Sequence, residues 1–229
     1  MPNIRPPEDV AAIRRRLTTA LDVTDADGRK VGDARFGVYA FYDYDGEPIY
    51  VGQTYEKIRT RIRRHLTNQR TDAVAMNVLD PFEVADIEMW PFFELEDLDA
   101  KDPRIRSTLD SAEYTVFQKV LGESSFHAVL NEKEPRPTEF ITLPDSYRER
   151  IIPDEFFDMR RHPDTRLARR ASTIASLARV ISERQVSPGL RWTLLTQARR
   201  LTSLAERRLI EIEGGGPVVS GPDLPDVDE

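Results

Sequence analysis

Hydrophobic and polar positions alternate in two short runs near the start of the chain and then change to a helical period. Residues 36–43 are rich in aromatic and β-branched side chains, Asp45-Gly46 follows as a turn signal, and residues 48–52 form a second apolar run. This pattern predicts a β-hairpin. Thr54 can then cap a helix, because every fourth residue from position 58 to 66 is apolar.

Further helices and one further strand are predicted on either side of this hairpin. Apolar residues at helical spacing predict an amphipathic helix over residues 7–21 and a second helix over residues 107–121. Alternation between apolar and polar residues predicts a third strand over residues 82–90. A short helix over residues 72–79 is also consistent with the pattern.

The second half of the chain has a different organisation. Residues 136–163 are rich in proline and show little periodicity, so they read as an ordered linker or wrap. Two helices follow over residues 164–186 and 190–213, separated by Ser-Pro-Gly, which predicts a helical hairpin. Residues 214–229 are acidic and are expected to be disordered.

The order of elements predicts an α+β fold, with a small antiparallel three-stranded sheet flanked by helices and a C-terminal helical hairpin. The predicted divisions are an N-terminal helix and connection, a central domain, the linker, the basic hairpin and the acidic tail: residues 1–34, 35–135, 136–163, 164–213 and 214–229.

Composition narrows the class of protein. The 229 residues include no cysteine, which excludes disulfides and cysteine-ligated metals. No apolar run approaches the ~20 residues of a membrane span, and the N-terminus lacks the apolar core of a signal peptide. The expectation is a soluble cytoplasmic protein that does not engage a membrane.

Charge is unevenly distributed along a chain whose net charge is −7. Residues 159–212 contain 12 Arg against 4 acids, and residues 57–70 contain six basic residues and no acid. Residues 80–102 contain nine acids against one Lys. Such segregation is typical of a local nucleic-acid-binding surface on an acidic protein, although each basic run could also be a solvated helix face.

Two tripeptides carry the most specific signal in the sequence. Gly37-Val38-Tyr39 and Tyr50-Val51-Gly52 fall on the two strands of the predicted hairpin, and Arg61 and His65 follow on the next helix. The pair resembles the signature of the GIY-YIG nuclease superfamily, with valine in place of isoleucine in both tripeptides. The resemblance covers residues 36–131 and implies a phosphodiester hydrolase built on an antiparallel sheet.

The resemblance implies catalytic roles for six residues: Tyr39, Tyr50, Arg61, His65, Glu113 and Asn131. Tyr39 would activate the attacking water, with His65 as its partner or substitute. Tyr50 would orient the water or phosphate, Arg61 would stabilise the transition state, and Asn131 would brace the site. For Tyr39, Tyr50, His65 and Asn131, an ordinary structural role in packing, capping or a turn is the competing interpretation.

Glu113 stands out on physical grounds as well. It lies on the apolar side of the helix over residues 107–121, where an ionised carboxylate is costly unless it is paired or binds a cation. An ion pair with an arginine is the simpler explanation. In the family, a glutamate on the helix after the third strand binds the metal, and an oxygen ligand of this kind suits Mg²⁺ or Mn²⁺.

Arg59 competes with Arg61 for the catalytic role. Arg61 is preferred because it lies at the edge of the helix's buried stripe and His65 follows four residues later on the same face. The other arginines of this helix and several of the C-terminal hairpin are candidates for phosphate contacts: Arg59, Arg63, Arg64, Arg199, Arg200, Arg207 and Arg208.

The hairpin helices each show an apolar stripe, and the two stripes are expected to face each other or the central domain. The first stripe is Leu167, Ala171, Ile174, Ala178 and Ile181; the second is Leu194, Ala198, Leu201, Ala205 and Leu209. This packing would leave the arginines of both helices largely exposed, Arg166, Arg169 and Arg170 among them. They would then form a DNA-binding arm, or else a solvated cap or a homodimer contact.

The sequence thus favours a metal-dependent DNA endonuclease of the restriction or defence type. A structure-specific repair nuclease and a catalytically inactive nucleic-acid-binding or scaffold module are the alternatives. RNA is not excluded as the substrate, since nothing in the sequence distinguishes the two backbones.

Overall fold

Four antiparallel strands form one sheet, and helices cover both of its faces. The structure is a computed structural model that describes residues 8–66, 80–131, 133–186 and 188–214. The helices are α1 (Glu8–Leu21), α2 (Ile58–Leu66), α3 (Pro103–Glu123), α4 (Asp154–Arg161), α5 (Pro163–Glu183) and α6 (Pro188–Glu213). The strands are β1 (Gly37–Tyr42), β2 (Pro48–Thr54), β3 (Asp86–Pro91) and β4 (Tyr147–Arg150), in the order β2-β1-β3-β4.

The hairpin of β1 and β2 forms as the sequence predicts. Gly46 adopts a φ of 78° in the turn, a conformation that favours glycine, and the Asp43 N–H donates to the Glu47 carbonyl at 2.9 Å. The register places Tyr39 opposite Gly52 and therefore brings the two signature tripeptides side by side. Since β2 is an edge strand, one of its sides remains open for other contacts.

Alternation along β1 divides the core into two layers. Tyr39 and Phe41 pack on the face covered by α1 and α2, whereas Val38 and Ala40 face α3. The apolar residues predicted for α3 are buried there, including Leu109, Val116 and Phe117. No helix in the described ranges is long and apolar enough to cross a lipid bilayer.

The sheet in the described residues contains four strands, one more than the three predicted. Residues 136–163, read as a linker, contain both β4 and α4. β4 pairs with β3, and Arg148 forms an ion pair with Asp86 at 3.2 Å. The sequence of β4, Tyr-Arg-Glu-Arg, alternates in burial but contains few apolar residues. Its partner strand β3 lies about 60 residues earlier in the chain, so the sequence pattern did not reveal β4. The short helix predicted over residues 72–79 lies outside the described residues, as does the tail from residue 215.

The start of α3 also differs from the prediction. The helix begins at Pro103 rather than at Ser107, because the Asp102 side chain accepts a hydrogen bond from the Arg104 N–H and proline is tolerated in a first turn. Asp102 is the last residue of the acidic stretch over residues 80–102. The cap therefore lies at the end of that acidic segment.

The C-terminal hairpin exists, but the predicted apolar stripes are only partly right: Ile181 and Leu194 pack against its small apolar core, whereas other members do not. Ala171, Ala178 and Ala205 are exposed, and Leu209 is 45% exposed. The buried positions of α5 and α6 are offset and largely polar: Arg166, Arg170, Leu177, Val180, Leu190, Thr193, Thr196, Gln197, Arg200 and Leu204. Charged side chains can be buried here because acids of the sheet domain pair with them, as described below.

Candidate active site

The hydroxyl of Tyr39 lies at the centre of a buried polar cluster. The Arg61 Nε–H donates to this oxygen at 3.3 Å, and both ring nitrogens of His65 lie 3.4 Å from it. β1 supplies Tyr39, and one face of α2 supplies Arg61 and His65, which are four residues apart. Tyr39 and His65 are buried, whereas Arg61 is half-buried and lines an opening of about 430 Å³.

Tyr50 joins the same cluster from β2. Its ring centroid is 5.1 Å from that of His65 and 6.1 Å from that of Tyr39. A Cβ atom on Gly52 would lie 2.9 Å from the Tyr39 hydroxyl and 3.0 Å from the Tyr50 hydroxyl. Glycine at the end of the second tripeptide is therefore what lets the two hydroxyl groups converge.

The glycine of the first tripeptide has a different purpose. A Cβ atom on Gly37 would come within 2.5 Å of the Ile58 side chain. Ile58 is fully buried at the start of α2, so the absence of a side chain at position 37 lets that helix approach the sheet. This close approach positions Arg61 beside Tyr39.

Electrostatics couple Arg61 to both tyrosines. Burial acts to lower the pKa of Arg61, but the Tyr39 and Tyr50 hydroxyl groups outweigh it, so the pKa is raised above its ordinary value. The guanidinium therefore stays charged at the edge of the cluster. A positive charge in this position favours the ionised form of a neighbouring phenol.

Glu113 lies across the β2 edge from this cluster, beside Gln53 and Asp110. Burial is the largest cause that raises the pKa of Glu113, to about 7, and the charge of Asp110 adds to it. Hydrogen bonds from Gln53 and the charge of Arg61 act in the opposite direction. The Gln53 amide donates to an Asp110 carboxylate oxygen at 2.8 Å, while the Gln53 Oε1 atom is buried with no partner in the described structure.

Asn131 closes the open edge of β2. Its side-chain oxygen accepts from the Val51 N–H at 3.0 Å, and its amide donates to the Val51 carbonyl at 2.9 Å. Val51 lies between Tyr50 and Gly52, so Asn131 fixes the backbone that carries both. The bracing role predicted from the resemblance is consistent with these two hydrogen bonds.

Residues 35–97 match the model of the GIY-YIG catalytic domain. This chain contains a GIY-YIG domain. The resemblance read from the two tripeptides is thereby confirmed, and a domain of this family implies nuclease activity on nucleic acid. No curated protein and no solved structure matched the chain in the comparisons.

The matched segment of the GIY-YIG domain ends before two of the candidate residues. Tyr39, Tyr50, Arg61 and His65 lie inside it, but Glu113 and Asn131 lie beyond residue 97. These two are connected to the matched segment by geometry: Asn131 through Val51, and Glu113 through Gln53 and the charge of Arg61.

GIY-YIG nucleases generally use divalent metal ions, and the donors around Glu113 suit such an ion. Carboxylate and amide oxygens are the ligands that Mg²⁺ and Mn²⁺ prefer. The buried, unpartnered Gln53 Oε1 atom is an oxygen donor of this class beside the two carboxylates. Glu113 would hold the ion, with Asp110 and Gln53 next to it. Among the described residues, no three His, Cys, Asp or Glu side chains gather into a metal cluster.

Several arginines predicted to contact phosphate are engaged within the protein. Arg200 is 1% exposed and donates to the Pro48 and Ala128 carbonyls, so its predicted exposure was wrong. Arg166 and Arg170 are likewise buried, and Arg169 bonds Glu83. Arg59 forms ion pairs with Asp22 and Asp33, so Arg61 and not Arg59 is the arginine of this helix that contacts Tyr39.

The remaining candidates are at the surface with varied contacts. Arg207 pairs with Asp45 at 3.0 Å, Arg208 with Asp164 at 2.9 Å, and Arg64 with Glu56. Arg63 is exposed and bonds the Thr18 hydroxyl at 3.1 Å. Arg199 is exposed. Phosphate contacts by the surface arginines stay a prediction.

Two residues of the site were missed in the sequence. Gln53 directly follows the second tripeptide, and Asp110 precedes Glu113 by three residues on α3. The spacing of two carboxylates on one helix face was a usable signal for Asp110. No pattern in the sequence singles out Gln53, because its importance rests on contacts with α3.

Proposed function

We propose that this protein is a divalent-metal-dependent endonuclease that hydrolyses DNA phosphodiester bonds. The observation that supports the proposal most strongly is the convergence of Arg61 and His65 on the Tyr39 hydroxyl. Water activation and charge stabilisation need a base and a fixed cation within reach of one phosphate. The inactive-scaffold alternative gains no support from so specific a cluster.

Proton movement follows from the hydrogen bonds around Tyr39. Its oxygen accepts from Arg61 Nε, and the hydroxyl can donate its own proton to a His65 nitrogen that carries none. The phenolate left behind is stabilised by the Arg61 charge. It then takes a proton from the attacking water, and the resulting hydroxide bonds to phosphorus.

Arg61 also stabilises the negative charge that develops on the phosphate. The half-buried Arg61 guanidinium has further N–H groups besides Nε, and they can donate to the phosphate oxygens as the bond to the leaving 3′ oxygen breaks. A divalent ion on Glu113 would neutralise charge on that leaving oxygen. Tyr50 orients the water or phosphate from β2.

The proposal is tested by incubating the full chain with supercoiled plasmid, linear duplex, single-stranded DNA and RNA, each with Mg²⁺ and with excess EDTA. We expect cleavage of DNA with Mg²⁺ and none with EDTA. Cleavage of RNA alone would overturn the choice of substrate. The absence of cleavage of every substrate by folded protein would leave a binding module.

Replacing Arg61 with methionine is expected to lower the single-turnover rate of DNA cleavage by about 100-fold, because a preorganised donor to the transition state is lost. The matched control is Arg59→Met on the same helix. Arg59 is paired with Asp22 and Asp33 away from the cluster, so its loss should reduce stability and leave the rate nearly unchanged. Equal rate losses in both variants would contradict the assignment.

We extend the proposal to a restriction or defence role, and the mapped cleavage ends test it. Cutting at a defined sequence in duplex DNA supports restriction. Cutting set by junctions, flaps or lesions, whatever the sequence, would instead favour the repair alternative.

A further inference from the structure

A groove runs between the end of α3, the segment after it and the start of α6. It has a volume of about 680 Å³. Side chains that line it include Phe117, His127, Asn131, Lys133, Glu134 and Trp192. None of these except Asn131 has a part in the cleavage chemistry described above.

The groove lies next to the candidate active site. Asn131 lies in its wall and bonds Val51 of β2, and Val51 is two residues from Gln53, about 7 Å along a strand. On α3, Phe117 follows Glu113 by four residues, about one helical turn. A strand of nucleic acid that leaves the cleavage site along the β2 edge therefore enters this groove.

An exposed indole stands at the groove. Trp192 is 62% exposed, whereas Trp90, the other tryptophan of the chain, is 1% exposed. Leu195, one turn further along α6, is also exposed at 40%. An exposed aromatic ring beside a groove is the feature on which unpaired bases stack in proteins that bind single strands.

Charge around Trp192 suits the same ligand. Six arginines of the hairpin are engaged in ion pairs: Arg166, Arg169, Arg170, Arg200, Arg207 and Arg208. In contrast, Arg191, Arg199 and Lys133 form no ion pair with any residue in the described part of the chain. Residues 188–200 contain no acid, although Glu134 lines the groove. Within the ranges described, three cations without an ion pair therefore lie in the groove or within seven residues of its exposed tryptophan, while others, such as Arg179 and Arg184, lie elsewhere on the hairpin.

The backbone at the groove is strained at one position. His127 has a φ of 46°, a left-handed conformation that few side chains adopt. Such conformations are concentrated at binding and active sites, where the surrounding structure holds them. The turn that holds His127 includes a hydrogen bond from its N–H to the Ser124 carbonyl at 3.1 Å.

We propose that this groove binds the DNA strand next to the cleavage site, with an unstacked base on Trp192 and phosphates on Lys133, Arg191 and Arg199. The inference rests on the proposed nuclease function, not on its restriction role, and adds a substrate class to it: DNA with an unpaired segment beside the scissile bond. It favours a defence or structure-specific role over restriction of fully paired duplex. A fully paired duplex keeps its bases stacked and cannot offer one to the indole without the cost of unstacking.

Tryptophan fluorescence tests the groove without any cleavage. In EDTA, the wild-type chain is titrated with a duplex that carries a single-stranded extension and with the same duplex blunt-ended, and binding is followed separately by anisotropy of labelled DNA. We expect the extended DNA to quench the emission. Trp192→Phe retains only buried Trp90 and should lose this signal while binding DNA nearly as well.

Affinity provides the second measurement. Trp192→Ala should weaken binding of the extended DNA by about 5- to 100-fold, the range for loss of one base–aromatic stack. The matched control is Phe140→Ala, since Phe140 is 67% exposed outside the groove and should bind as wild type does. Circular dichroism and cooperative unfolding confirm that each variant folds.

The outcomes separate the two proposals. DNA binding with unchanged Trp192 emission and unchanged affinity in Trp192→Ala would overturn the groove and leave the nuclease function intact. If the blunt duplex quenches the emission and binds as strongly as the extended DNA does, the proposal of an unpaired substrate is overturned. No binding of either DNA would overturn the groove and remove support from the DNA nuclease itself.

Discussion

Replacing Glu113 with glutamine is expected to lower the rate of Mg²⁺-dependent DNA cleavage by about 1,000-fold or more. Glutamine keeps the shape of the side chain but removes the charge that would hold the ion, and metal stabilisation of a leaving oxygen is worth several kcal/mol. Single-turnover rates measured against Mg²⁺ concentration check this. Glu123→Gln, at an exposed position on the same helix, is the control and should cleave as wild type does. A Glu113→Gln rate within about tenfold of wild type would contradict the role of Glu113.

The same substitution should stabilise the metal-free protein at high pH. Burial and the charge of Asp110 raise the pKa of Glu113 to about 7 from 4.5. The folded state retains the proton to a higher pH than the unfolded state does. The carboxyl therefore does not destabilise the fold below pH 4.5, and its destabilising effect grows until the pH passes about 7. In EDTA at pH 8, the free energy of unfolding of Glu113→Gln should therefore exceed that of wild type by up to about 3 kcal/mol.

Unfolding in urea at pH 8 and at pH 4.5 measures this difference. The gain should disappear at the lower pH, where wild-type Glu113 is already protonated. A variant less stable than wild type at pH 8 would show that the ionised carboxylate is satisfied by its neighbours without a metal. Loss of activity together with gain of stability is the behaviour expected of a side chain retained for function.

The sequence predicts local structure well wherever the signal lies within one element. The turn at Asp45-Gly46, the four-residue spacing of Arg61 and His65, and the apolar face around Glu113 each depend on residues close together in the chain. The two tripeptides add the pairing of β1 with β2. From these local facts the central cluster of the site follows, because one hairpin and the helix after it carry Tyr39, Tyr50, Arg61 and His65.

Features that depend on distant residues escaped prediction for a physical reason. Helical periodicity assigns apolar residues to the buried face, and so it misplaced the faces of α5 and α6, where Arg166, Arg170 and Arg200 are inside. Their partners lie some 80 to 150 residues earlier in the chain. The edge strand β4 and the Gln53 contact with Asp110 are non-local in the same way.

A buried network of charges joins the C-terminal hairpin to the nuclease domain. Arg170 bonds Asp43 at 2.6 Å and Arg166 bonds it at 3.3 Å, while both also approach Glu83. The side chains of Asp43, Arg166 and Arg170 are 2%, 3% and 5% exposed. Asp43 directly follows β1 at the hairpin turn, so the network fixes α5 against the hairpin that carries the two tripeptides.

Replacing Asp43 with asparagine is expected to destabilise the protein by about 3–5 kcal/mol, since one partner of a buried charge network is removed and the arginines remain. Asparagine can still accept the hydrogen bonds that Asp43 Oδ1 receives from the Asp45 and Glu47 N–H groups. The loss of stability therefore measures removal of the charge and not disruption of the turn. The free energy of unfolding in urea provides the measurement.

The matched control is Asp164→Asn, which removes the charge of an exposed partner of Arg208 and should cost less than about 1 kcal/mol. Salt separates the two cases further, because screening weakens exposed pairs much more than buried ones. The Asp43→Asn loss should therefore be similar in low and high salt. Equal costs for the two variants would mean that the arginines of α5 find water or other partners, and that the hairpin is held by its few apolar contacts alone.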